Sequence, residues 1–408
     1  MTLIHGLAIT TLLAASCGLM MPSRILAAEE EAPQTRKLSD LNTRKRPGIP
    51  VAELARRRKN RPASLRDRFN QSGAAEDEET LKVNGSIFFP TYIAEGTVYT
   101  RSVADMPVAA NSAAMAKYMK AMPAKHNTRG VITSLNATSF NLPVYVVDSR
   151  DPQTPKVRVK VPAFRNPMVS KKMRKILFND DIPLPDWAQA ANPQGGGDSA
   201  LAVYDIGTGI IREYFHFIKD GEREWTASYG GYYEDMWSLA EKNYACQHTE
   251  GSDFVTAMIG APGQIGIEEA RRGEIRHAVC FTMANARKGV TCWPAKQNDG
   301  KDDNPDAPAE GQWFRLPPNL DIKKLKLKPM TELIAKAVQK YGGFGSDKNL
   351  FCHAFNAEPG FVEAHVKGQD PWVAGGDLYR KYNLAAGNLL NDFPWELTEW
   401  APVNWGKQ

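Results

Sequence analysis

Ala200–Ile218 reads A-L-A-V-Y-D-I-G-T-G-I-I-R-E-Y-F-H-F-I. Two runs rich in apolar, β-branched and aromatic residues flank the turn-forming Asp205-Ile206-Gly207-Thr208-Gly209. Strand, turn and strand at this spacing predict a β-hairpin. Upstream, Lys156–Val161 alternates as K-V-R-V-K-V, which turns Val157, Val159 and Val161 to one core. Ser86–Ile93, Thr138–Val147, Glu224–Tyr229, Ile275–Met283, Val290–Trp293, Gln312–Leu316 and Leu350–Phe355 read as further strands. Helical patterns are few: Ala113–Met122, the basic Val169–Phe178, and Thr331–Tyr341 ahead of the Gly342-Gly343 stop. Many short strands with few helices predict a mostly β chain, an antiparallel β-sandwich or jelly roll with peripheral helices.

In the second strand of the hairpin, the two-residue period puts Arg212, Tyr214 and His216 on one face and Glu213 on the other. Arg grips a carboxylate in a bidentate fork, and Tyr and His exchange protons, so with Asp198 this row suits an acidic sugar. The same row also suits the solvated face of an amphipathic strand. Tyr229, Tyr232, Tyr233 and Trp237 follow closely, and Trp293 ends a strand. Their rings offer flat apolar platforms for sugars, or simply pack a loop.

Ile265–Met283 reads I-G-I-E-E-A-R-R-G-E-I-R-H-A-V-C-F-T-M. A short acidic helical turn, a Gly stop and a strand entered by His277 bring Glu268, Glu269 and Glu274 near one imidazole. A histidine in an apolar row is also a common buried structural residue.

The ends set the compartment. Residues 1–28 read as an export signal, with an apolar run over Leu7–Met21 and small residues at Leu26-Ala27-Ala28. Cys17 after Ala14-Ala15-Ser16 leaves a lipoprotein reading open. The expectation is a secreted, periplasmic or cell-surface protein, soluble after processing, with no transmembrane segment. Residues 29–82 hold Arg56-Arg57-Arg58-Lys59 and the acidic run Glu76–Glu79 but few large apolar residues, so they read as a disordered charged linker. Most of the net charge of +5 collects there rather than on a folded face, which argues against a nucleic-acid partner. Residues 83–408 form the globular domain. Its cysteines, Cys246, Cys280, Cys292 and Cys352, permit two disulfides in an oxidising compartment, with Cys280 and Cys292 facing across a hairpin as one pairing.

Metal signals are thin. No C-x-x-C or H-E-x-x-H occurs, and no cofactor is implied. Asn298-Asp299-Gly300-Lys301-Asp302-Asp303-Asn304 carries hard oxygen ligands of the kind Ca²⁺ takes, or else forms a plain turn. Nucleophile elbows, Walker loops and dinucleotide fingerprints are absent.

Leu142–Val147, Ile182-Pro183-Leu184-Pro185 before Gly197-Asp198, Tyr341-Gly342 before Asp347, and Phe393-Pro394-Trp395 occur in order. Between them stands E-x-x-x-x-G-x-I-x-H-A, realised by Glu268, Gly273, Ile275, His277 and Ala278. In these features the chain resembles a largely uncharacterised family of secreted bacterial β-rich proteins. The resemblance implies an exported β-rich domain and carries no activity. Tyr244–Phe254 stands where such proteins often have a Trp- and Gly-rich segment, so a shared ligand does not follow.

Together these readings predict a secreted polysaccharide-active enzyme. As a lyase, His277 or Tyr214 takes the proton beside a uronate that Arg212 neutralises. As a glycoside hydrolase, two of Asp198, Glu213, Glu268 and Glu269 serve as acid and base. The alternative is a non-catalytic glycan-binding or cell-envelope module, and a weaker third is a Cys246–His277 peptidase. The oligomeric state is left open.

Overall fold

Parallel strand pairs, which no hairpin can make, decide the architecture. The computed structural model describes residues 97–191, 198–205, 207–234, 252, 254–384 and 389–407, all within one compact unit of the chain, Pro62–Gln408. The signal segment with Cys17, the charged linker, Ser86–Ile93, Trp237 and Cys246 lie outside the described residues.

In chain order, α1 (Ser112–Ala121) precedes β1 (Thr133–Asn136), β2 (Val144–Val147) and β3 (Lys156–Lys160). Then come α2 (Lys171–Leu177), β4 (Ile182–Pro183), β5 (Leu201–Asp205), β6 (Ile210–Phe215), β7 (Ile218–Lys219), β8 (Glu224–Thr226) and β9 (Tyr229–Tyr233). The rest holds α3 (Ile267–Arg272), β10 (Val279–Met283), β11 (Trp313–Arg315), α4 (Pro329–Tyr341), β12 (Gly343–Lys348) and β13 (His353–Asn356). Last are α5 (Phe361–Lys367), α6 (Asp377–Lys381) and β14 (Glu399–Trp400).

The largest sheet runs β1-β13-β10-β12-β11-β14, with β1–β13 and β10–β12 parallel and the other pairs antiparallel. The second runs β2-β5-β6-β9; its β2–β5 pair is parallel, and β5–β6 is the predicted hairpin. The third, β4-β3-β8-β7, is also mixed.

The elements stack in layers, and alternation along the central strands sends successive side chains to different cores. Val279, Phe281 and Met283 of β10 join Phe314, Phe355, Trp395 and the apolar stripes of α1 and α4. Cys280 points the other way, into a second core with Val144, Val146, Ala202, Tyr204 and Ile211 of the second sheet. The opposite face of that sheet, with Tyr145, Leu201, Val203 and Tyr214, packs on α2 and the third sheet.

The predicted antiparallel sandwich or jelly roll is therefore corrected to a layered, mixed α/β architecture. Parallel strands need a crossover, and between β10 and β12 that crossover carries α4. Strands covered on both faces read as largely apolar runs, as β10 does, and no local signal gives their direction. The hairpin, β3 and the three helices fall close to their predicted places, whereas Val290–Trp293 forms only a single bridge, Thr291 to Glu310. Cys280, Cys292 and Cys352 are free buried thiols, so the pairing of Cys280 with Cys292 does not form. No helix among the described residues is long and apolar enough to cross a membrane.

Deep in the first core, His353 accepts from Ala284 N at 3.1 Å through Nδ1 and donates to Met119 O at 2.8 Å through Nε2. Accepting at Nδ1 needs the neutral ring, and burial pushes its pKa down to about 4. A depressed histidine holds its stabilising contribution above the unfolded value of about 6.5 and loses it as pH falls toward 4. The full loss is on the order of 3 kcal/mol. Denaturation midpoints should fall with pH across that window, and His353→Gln should flatten the slope. An unchanged slope in the variant rejects this account.

Candidate functional site

At the end of the second sheet where β5 begins, β6 ends and β9 begins, a cavity of about 1170 Å³ opens against the largest sheet. Its wall carries the carboxyl groups of Asp198, Asp299 and Asp347 together with Lys348. Amides and hydroxyls of Asn136, Gln297, Thr282 and Ser252 add hydrogen-bonding groups, and Phe140, Tyr229 and Phe351 add aromatic faces.

Backbone strain collects around this opening. Phe140, Ser199, His216 and Leu350 have φ of 52°, 43°, 53° and 56°, the left-handed region that side chains other than glycine disfavour. Phe140 and Ser199 line the cavity, and His216 and Leu350 adjoin lining residues. Phe140 is also 60% exposed. A bulky residue with a strained backbone and a largely exposed side chain is not explained by core packing.

Asp198 and His216, grouped by the sequence, do meet here. The Asp198 carbonyl accepts from His216 N at 2.8 Å, and the His216 ring stacks on Phe215 with Nδ1 3.2 Å from Ser228 Oγ. Desolvation in the cavity wall raises the Asp198 carboxyl above the ordinary carboxylate value, with His216 pulling weakly the other way. Desolvation lowers His216, and the Asp198 charge partly restores it.

The opposite wall was not assembled from the sequence. Asp347 ends β12, accepts from Val255 N at 3.1 Å and from Lys348 N at 2.6 Å, and is pushed up to about 7 by burial, with the charges of Asp299 and Asp198 adding to the rise. Asp299 pairs with Lys348 Nζ at 2.6 Å. Behind them Glu310 is fully buried, accepts from Asp299 N at 3.1 Å, and is pushed up to about 9, by desolvation first and then by Asp299 and Asp347.

Comparison with protein-family models, with curated proteins and with solved structures returns no match. The sequence-predicted residues fall in very different places. His277 is closed inside the protein: Nδ1 donates to Ala278 O at 2.8 Å and Nε2 lies 2.9 Å from Glu269. Glu269 also accepts from Gly266 N and Arg276 N, so the pair locks α3 to the entry of β10. Neither group reaches the cavity.

Glu268 binds Arg271, which also takes Glu363 and Asp377, and Glu274 pairs with Arg276 at the surface. These are structural ion pairs. Glu213 is fully buried, and its carboxyl accepts from Gly260 N and Ala261 N at 2.9 Å. Burial pushes it up to about 7 against the pull of those two N–H groups. It thereby clamps the loop that supplies Ser252, Phe254 and Val255 to the cavity wall.

Arg212 donates to Ile176 O at 3.0 Å and Tyr214 to Leu177 O at 3.0 Å, both buried against α2. Tyr232 and Tyr233 are buried, and Trp293 packs against the second core. Tyr229 alone of the described aromatic group lines the cavity, its hydroxyl accepting from Arg165 at 3.2 Å.

Asp299 was visible only as part of an oxygen-rich loop, whose Asp302 instead accepts from Tyr118. Asp347 entered only through the family resemblance, and Glu310 left no signal, being one acid in P-A-E-G.

Proposed function

We propose that the chain hydrolyses an extracellular, largely neutral glycan held in the cavity, with Asp198 as proton donor. The observation that supports this reading most is the lining itself: Asp198, Asp299 and Asp347 share one cavity with amides, hydroxyls and aromatic residues. Sugars present hydroxyls at their edges and C–H groups on their faces, and this lining offers a partner for each. The volume lies at the upper end for ligand sites, about 1,000 Å³, which leaves room for more than one ring.

Glycosidic cleavage needs one carboxyl protonated at the leaving oxygen and an opposing group that activates water or attacks the sugar. Asp198, raised by desolvation, takes the first role; the Asp347 and Asp299 side takes the second. The lyase chemistry draws no support from the cavity, because Arg212, Tyr214 and His277 are buried outside its lining.

The test is product release from a panel of neutral and acidic polysaccharides with the full mature chain, read by mass spectrometry. Hydrated fragments from a neutral polymer are expected. Fragments lighter by one water reject hydrolysis, and binding without fragments leaves the glycan-binding module.

A further inference from the structure

The carboxylate side of the cavity holds an unresolved contact. Asp299, Glu310 and Asp347 each bring an oxygen within 4.8 Å of the others. Glu310 Oε2 is served by Asp299 N, but Glu310 Oε1 is buried with no hydrogen-bond donor. Its closest company is carboxylates, which accept and cannot donate, so only a proton or a cation relieves it. Lys348 supplies one positive charge, at Asp299, against three acids. A buried acid left in that state is costly.

We infer that Asp299, Glu310 and Asp347 form a divalent-cation site of the hard, oxygen-ligated class, its open positions turned to the cavity. Carboxylate oxygens are the ligands Ca²⁺, Mg²⁺ and Mn²⁺ take. Three acids and one lysine leave two negative charges, which one divalent ion neutralises. Asp299 and Asp347 line the cavity while Glu310 lies behind them, so water or ligand hydroxyls complete the coordination from the cavity side.

The backbone fixes the donors before any ion arrives. Gly311 holds φ +79°, and a Cβ there would fall 2.2 Å from Cys292 O, so only glycine lets the chain pass and aim Glu310 inward. Asp347 is held by its bonds from Val255 N and Lys348 N, and Gly311 N donates to Gly345 O on the same strand at 2.8 Å. The site thus joins one ligand of the oxygen-rich loop to two that are distant in sequence, and it stands whether or not the glycan reading holds.

Chelator-treated full chain, titrated with CaCl₂, MgCl₂ and MnCl₂ by calorimetry, tests it without any glycan. One saturable site for at least one ion is expected. Glu310→Gln should weaken that affinity at least tenfold while melting no lower than the ion-free parent, because the amide can donate toward Asp299. Should Glu310→Gln not fold, Asp299→Asn gives the same comparison. Saturation by none of the three ions, or equal affinity in parent and variant, overturns the inference and leaves a proton as the occupant. Glycan cleavage with no ion binding, or ion binding with no cleavage, tells the two failures apart.

Discussion

Glu269→Ala should cost the protein about 3–5 kcal/mol of folding free energy, the usual penalty for leaving one partner of a buried ion pair uncompensated. His277 and Glu269 are 0% and 1% exposed at their side chains, so no water is at hand to take over the lost bond. Burial alone would lower the His277 pKa; the Glu269 charge, its hydrogen bond and the Ala278 carbonyl reverse that and raise it. A raised histidine contributes fully below its unfolded value of about 6.5 and loses the contribution as pH climbs through its folded value. The deficit of the variant should therefore be largest in mildly acidic solution and shrink on the alkaline side. Urea titrations of parent, Glu269→Ala, His277→Ala and the double variant measure it. The double variant should lose less than the sum of the singles. A deficit below about 1 kcal/mol would show that the pair is not closed off as described.

Asp198→Asn should lower turnover by about 10²–10⁴-fold, the contribution typical of a positioned acid or base, with little change in stability. The side chain sits on the cavity wall rather than in a core, so the neutral amide relieves desolvation and leaves the packing intact. As a donor it must be protonated, so turnover in the parent should fall as pH rises through its raised pKa, and that alkaline limb should vanish in the variant. A loss under tenfold, or a limb that persists, would move the proton-donor role to another wall residue. Glu213→Gln is the informative contrast, since it should disturb the loop over Ser252–Val255 and raise the substrate requirement more than it slows turnover.

What could be read from the sequence was local. The β5–β6 hairpin carried its own turn, Thr331–Tyr341 its own stripe and stop, and Lys156–Val161 its own alternation. The jelly roll failed because it extended the hairpin's antiparallel logic to β10, β12 and β13, which are covered on both faces and whose partners are set by crossovers. Asp198 and His216 were legible because they lie at the end of one hairpin. His277 and Glu269 were correctly read as neighbours, but nearness along the chain does not say whether a pair faces solvent. Glu310 and Asp347 meet where Gly311 lies against Gly345 of β12, a contact between a loop and a strand apart in sequence that leaves no periodic trace.

The pairing of β1 with β13 joins Thr133 to His353, and Trp400 N donates to Ser112 Oγ across a still longer separation. Closing such long loops carries an entropic cost that must be met before the contacts reward it, so folding of this kind is slow. A chain emerging from its N-terminus cannot complete the largest sheet until nearly all of it is free. During synthesis, α1 and β1 wait for partners made last. A chain stopped before Phe393 would lack Trp395 and Trp400, leaving the first core open on β1 and α1. The order of assembly, as much as the final packing, then decides which truncated forms survive proteolysis.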